Sequence, residues 1–137
     1  MSKPNSKRLT DLELLVMRGV WELGPTAVTV RDVVERLNAD DDGRNHAYTT
    51  VQTIMNILVG KGALESRRGS GRALLYSAGL SHEEATASMT EEFLGKLFGG
   101  RAEPLLARLL EHESVDRDTL AELKRAIEEQ LGGEGEA

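Results

Sequence analysis

Apolar residues recur along the chain at two different periods, and the change of period divides the chain. Leu12, Leu15, Val16, Val20 and Leu23 fall at helical spacing, and Gly24-Pro25 stops the run, which predicts a helix over residues 11–23. A second, short helix is predicted over 30–38, capped by Thr29, with Val33, Val34 and Leu37 turned inward. An acidic loop, Asp40-Asp41-Asp42-Gly43, separates it from the most regular stretch of the chain. There Val51, Ile54, Met55, Leu58 and Val59 lie at i, i+3, i+4, i+7 and i+8, a single apolar stripe. Thr49, Thr50, Gln52, Thr53 and Asn56 fall opposite or on its flanks, and Gly60 and Gly62 supply the exit. Residues 64–68 and 73–77 then read as two strands around the turn Gly69-Ser70-Gly71.

After Gly79 the pattern is helical only. Ser81 and Glu84 form a capping box, and Ala85, Met89, Phe93 and Leu97 follow at every fourth position until Gly99-Gly100. Pro104 suits a first helical turn ahead of Leu105, Leu106, Leu109 and Leu110. A last helix is expected from the cap Asp116 through Leu120, Leu123, Ile127 and Leu131. The expected fold is therefore mainly α with a small β-hairpin wing: a winged helix-turn-helix domain over 1–79, a three-helix dimerisation region over 80–131, and a disordered tail over 132–137. Three short amphipathic helices bury their stripes poorly alone, and two-fold self-association is the common remedy.

Charge sharpens this division. The 137 residues carry a net charge of −6, which by itself argues against a nucleic-acid partner. Residues 1–80, however, hold 11 Lys and Arg against 9 Asp and Glu, while residues 81–137 hold 6 against 14. The acidic half is expected to face away from any phosphate backbone. The chain has no cysteine, which removes disulfides, thiolate metal sites and cysteine nucleophiles. The N-terminal segment lacks the apolar core of a signal peptide and no stretch has the length of a membrane span, so a cytoplasmic protein without membrane insertion is expected. His46, His82 and His112 are scattered, without metal-ligand spacing, and no nucleophile–base or carboxylate pair stands out. Neither a cofactor nor a metal is expected, and catalysis is not.

A helix with a short polar face, running into a basic hairpin, suits DNA reading. Gln and Asn can pair bidentately with adenine, and Thr can bond base edges or touch a thymine methyl. Thr is also a poor helix former, so three of them on one helix suggest a use other than helix stability. The expected base readers are Thr49, Thr50, Gln52, Thr53 and Asn56. The expected phosphate contacts are Arg67, Arg68 and Arg72 around the wing turn, with Lys7, Arg8, Tyr48 and Lys61. Trp21 and Tyr76 read as core or hinge aromatics, although the Tyr76 hydroxyl at the wing base could reach a phosphate. Phe93, Leu97, Leu106, Leu109, Leu120, Leu123 and Ile127 are the expected dimer interface. A winged-helix protein-interaction module that binds no DNA remains open, with Ile57 on the exposed helix side and the acidic loop in its favour.

The same residues resemble the penicillinase-repressor family of bacterial transcription regulators. The segment LTDLELLVMRGVWELG (9–24) is similar to the family's opening L-x-x-L-E-x-x-V-M-x-x-x-W. YTTVQTIMNILVGKGAL (48–64) is similar to its recognition helix, GRALLYSA (71–78) to its wing, and FLGKLFGG (93–100) to the signature of its first dimerisation helix. The resemblance implies a homodimeric repressor whose winged helices bind a palindromic promoter operator with TACA/TGTA-like half-sites. In the β-lactam branch, a membrane metalloprotease sensor triggers cleavage within the dimerisation region; release by a small ligand is the alternative. Two positions depart from the family pattern. Ile57 stands where the family usually has arginine, and Arg108-Leu109 stands where the β-lactam branch is cut at an Asn-Phe bond. The copper-sensing branch relies on a C-terminal cysteine cluster that this chain lacks.

Overall fold

The computed structural model describes residues 9–39, 45–71 and 73–135. Among them run six helices and one hairpin: α1 (Asp11–Leu23), α2 (Val30–Asn38), α3 (Tyr48–Lys61), β1 (Leu64–Arg68), β2 (Leu74–Ala78), α4 (His82–Phe98), α5 (Ala102–Leu110) and α6 (Arg117–Gly135). The expected mainly helical fold with a small hairpin is the observed one. The chain divides into two compact units, one reaching Thr90 and the other starting at Glu91.

Short local signals set the helix starts. The Thr10 hydroxyl accepts from Glu13 N–H while the Glu13 carboxylate accepts from Thr10 N–H, a reciprocal capping box that satisfies two otherwise orphan donors. Thr29 with Asp32 repeats the device on α2, and Ser81 with Glu84 on α4. On α6 the Asp116 carboxylate accepts from Thr119 N–H at 2.8 Å. That bond, assisted by the Thr119 side chain, holds the Asp116 pKa below the ordinary range. α6 continues to Gly135, beyond the end expected at Leu131. No proline interrupts it, and Gly132 and Gly133 lower helix propensity by about 1 kcal/mol each relative to alanine without supplying a stop.

The core of the first unit gathers Val16, Met17 and Val20 from α1, Val33 from α2, Val51, Met55 and Leu58 from α3, Leu64 and Tyr76 from the hairpin, and Leu80 and Ala85 beyond it. The inward face of α1 differs from the expected stripe. Leu12 is exposed, whereas Glu13 and Met17 are buried. The helix is rotated so that Glu13 can meet both Thr10 and Lys61. Trp21 is half-buried against the core; its indole N–H donates to the Leu80 carbonyl at 3.0 Å, and its ring meets His82 edge-on at 5.1 Å. These contacts fix the chain's entry into α4.

β1 and β2 are antiparallel, from Leu64 opposite Ala78 to Arg68 opposite Leu74. β2 starts one residue later than expected, because Ala73 instead closes the turn by accepting from Gly69 N–H at 3.1 Å. Val28 adds a third edge, exchanging backbone bonds with Tyr76 at 2.7 and 2.8 Å. Two glycines permit the tight join between α3 and the hairpin. Gly62 caps α3 in the left-handed region at φ 83°, and a Cβ on Gly79 would stand 2.6 Å from the Gly62 carbonyl oxygen.

In the second unit the apolar residues stay uncovered. No residue of α5 is buried, and Leu97, Leu106 and Leu131 expose 65%, 53% and 63% of their surface. Phe93, Leu109, Leu120, Leu123 and Ile127 are also exposed, as is Leu110. Within this unit Phe93 packs on Phe98 at 5.8 Å between ring centroids. Gly99 and Gly100, both left-handed, end α4.

Candidate nucleic-acid interface

α3 has two chemically distinct faces. Val51, Ile54, Met55 and Leu58 are buried, while Thr49, Thr50, Thr53, Asn56 and Ile57 are exposed and Gln52 is half-buried. Short polar side chains in these positions let a helix approach base edges closely. Ile57, 45% exposed, interrupts the polar row with an apolar surface.

Gln52 lies at the edge of a cleft of about 400 Å³ between the starts of α2 and α3 and the hairpin. Thr29, Val30, Arg31, Tyr48, Ala73, Leu74 and Tyr76 complete its lining. Arg31 holds its guanidinium 5.8 Å above the Tyr48 ring, within cation–π range. This arginine was missed in the sequence, yet a signal existed. A cation in the first turn of α2 opposes the helix dipole, so a local reason for it is absent. Its position beside Tyr48 and Gln52 places a further cation at the start of α3.

The wing arginines are arranged differently from the expected cluster. Arg67 and Arg68 are both exposed on β1, but successive strand residues point to opposite faces. Arg68 shares the face of Leu64 and Ser66, opposite Leu74 and Tyr76, and so lies on the α3 side. Arg67, opposite Leu75, points to the other face. Lys7, Arg8, Arg72 and the acidic loop Asp40–Asp42 lie outside the described residues. That loop is bracketed by a reciprocal pair of bonds, in which Asn38 accepts from His46 N–H at 2.8 Å and donates to the His46 carbonyl at 3.1 Å.

Lys61 serves the fold. Its ammonium donates to the Glu13 carboxylate at 2.6 Å, joining the end of α3 to the start of α1. Burial alone would raise the Glu13 pKa, but hydrogen bonds from Lys61 and Thr10, with the Lys61 charge, outweigh it and hold the carboxyl below its ordinary range. A depressed carboxylate stabilises the fold above its unfolded pKa, and that contribution disappears as pH falls through the folded value. Glu13→Gln should therefore lower stability by about 1–2 kcal/mol at neutral pH. Urea titrations at pH 7 and near pH 3 check the sign: the gap between wild type and variant should close in acid. An equal gap at both pH values would separate Glu13 from the acid response.

The Tyr76 hydroxyl is not available to a phosphate. Tyr76 is fully buried and donates to Asn56 Oδ1 at 3.0 Å. Asn56, expected to read bases, is thus exposed with Oδ1 of its amide already engaged.

The penicillinase repressor family profile matches residues 9–129, from the start of α1 into α6. The chain belongs to the penicillinase repressor family. This family comprises DNA-binding transcriptional repressors, regulators and not enzymes. No curated protein matches the chain closely enough to count as a relative. Among the described residues, no helix is long and apolar enough to cross a membrane.

Proposed function

We propose that this penicillinase repressor family member is a homodimeric repressor that binds a palindromic promoter operator. The observation that carries this reading is the row of exposed short polar side chains on α3, set beside Arg31 and the Arg68 face of the wing. Thr49, Thr50, Gln52, Thr53 and Asn56 read bases. Arg67 and Arg68 contact phosphates, with Tyr48 and Arg31 beside them and Lys7, Arg8 and Arg72 adding charge from outside the described residues. Lys61 contributes through its ion pair with Glu13 more than through a free charge. The DNA-binding domain comprises residues 1–79, and residues 80–131 supply the dimer.

The uncovered apolar side chains of α4, α5 and α6 support a second copy as the partner. Fully burying one Leu contributes roughly 1.5–3 kcal/mol, so several together suffice for a stable dimer. Release follows a signal, either cleavage near Arg108-Leu109 after a membrane metalloprotease sensor acts, or a small ligand. The exposed Ile57 favours one second reading, a protein-interaction module on the same scaffold.

Fluorescence anisotropy with the chain's own promoter DNA, titrated across salt, tests the proposal. The expected result is salt-sensitive, sequence-selective binding; no shift at micromolar protein would favour the interaction module. Arg68→Ala should weaken binding to all duplexes and reduce the slope of log affinity against log salt by about 1.8, one contact being lost in each of two protomers. An unchanged slope would remove Arg68 from the phosphate contacts. Gln52→Ala should instead reduce operator-over-random discrimination by roughly 1–3 kcal/mol. Undiminished discrimination would take Gln52 out of the reading set.

A further inference from the structure

The hydrogen bond between Tyr76 and Asn56 joins the wing to the reading helix across 20 positions of sequence. Tyr76 is held on every side. Its backbone is paired with Val28 just ahead of the α2 cap, it stands opposite Ser66 on β1, and its ring is wholly buried. Its hydroxyl bonds to Asn56 Oδ1. Leaving a buried hydroxyl without a partner is costly, so this bond persists when the helix meets a ligand. Burial, reinforced by the nearby Tyr48, also raises the Tyr76 pKa, which keeps the phenol a neutral donor.

The two ends of an asparagine amide are not equivalent, since Oδ1 only accepts and Nδ2 only donates. With Oδ1 drawn to Tyr76, the exposed end of Asn56 is Nδ2. Bidentate pairing with adenine needs both ends, Oδ1 for N6–H and Nδ2 for N7. The bond to Tyr76 takes one of the two lone pairs of Oδ1 and sets which way the amide faces. The end presented is a donor, complementary to purine N7, guanine O6 or thymine O4 and repelled by the N4 amine of cytosine.

We propose that Tyr76 is a positioning residue for base recognition: by holding Asn56 Oδ1 it presents Nδ2 to the major groove, so that Asn56 pairs with guanine, adenine or thymine and rejects cytosine. This rests on the DNA-binding reading above and gives the amide expected from the residue type a fixed orientation. It also gives the wing strand a part in specificity that needs no contact between that strand and a base.

Selection of the full chain against a randomised duplex pool, scored base by base, tests the proposal. In the wild type, one position per half-site should disfavour cytosine against the other three bases by roughly three- to tenfold. Asn56→Ala should abolish that preference there alone. Asn56→Asp keeps an acceptor for Tyr76 but presents an oxygen to the groove, so the preference should turn toward the amino bases. Tyr76→Phe frees the amide to rotate and should relax the preference at this position while the others stand. Three results overturn the proposal: an unchanged profile in Tyr76→Phe, an equal relaxation at every position, or a wild-type preference for cytosine at the position that depends on Asn56. If Tyr76→Phe does not fold, Asn56→Asp decides alone. A wild type that enriches no sequence overturns both this proposal and the DNA-binding reading, whereas enrichment with an unchanged Tyr76→Phe profile overturns this proposal only.

Discussion

Replacing both Leu97 and Leu106 by glutamate should leave the chain monomeric and reduce its operator affinity by on the order of 100-fold or more. These residues expose 65% and 53% of their surface in the isolated chain, so glutamate there costs a lone chain little. In a dimer the same carboxylates would be desolvated against an apolar partner face, which is strongly unfavourable without a counter-charge. The second unit already carries the chain's acidic excess, so added carboxylates meet more like charge than opposite charge. Loss of the dimer then acts through effective concentration: once one winged helix is bound, its tethered partner meets the second half-site at millimolar equivalent concentration, and a monomer has no such second step. Sedimentation velocity and anisotropy titrations on the same samples check both halves. A dimer that persists would place the interface elsewhere, and a monomer with undiminished operator affinity would remove the two-fold reading.

Much of the helical architecture is legible in the sequence, because its determinants are local. The bounds of α1 and α2 follow from apolar spacing, Gly24-Pro25 and the Thr29 cap, and the starts of α4 and α6 from Ser81 and Asp116. The candidate site is legible only as a list of residue types. Whether Lys61 is free, whether Asn56 presents both ends of its amide, and whether Arg67 and Arg68 converge depend on partners 48 and 20 residues away and on strand alternation. No local window contains Lys61 with Glu13 or Asn56 with Tyr76. Glu13 illustrates the difficulty: its charge places it on the outside by composition, and only the distant Lys61 makes burial tolerable. Arg31, in contrast, could have been suspected from its unfavourable place in a first helical turn.

The second large effect is expected from Leu58→Ala, set against Thr53→Ala on the same helix. Leu58 is fully buried beneath α3, and its carbonyl accepts from Ala63 N–H at 3.0 Å where the chain turns into β1. Truncating a buried leucine costs about 2–5 kcal/mol, as lost transfer energy plus a residual cavity. That is a large fraction of the roughly 5–15 kcal/mol that holds a domain folded. Thr53 is exposed on the opposite face, and alanine there improves helix propensity, so stability should change by about 0.5 kcal/mol or less. The functional order should reverse. Thr53→Ala should lose operator-over-random discrimination while remaining fully folded, whereas Leu58→Ala should keep its discrimination in whatever fraction is folded and lose only that fraction. Urea denaturation together with competition binding on both variants separates these outcomes. If Thr53→Ala instead lowered stability by more than 1 kcal/mol, its face would be part of the packing. The short polar row on α3 would then owe its composition to the fold and not to a groove.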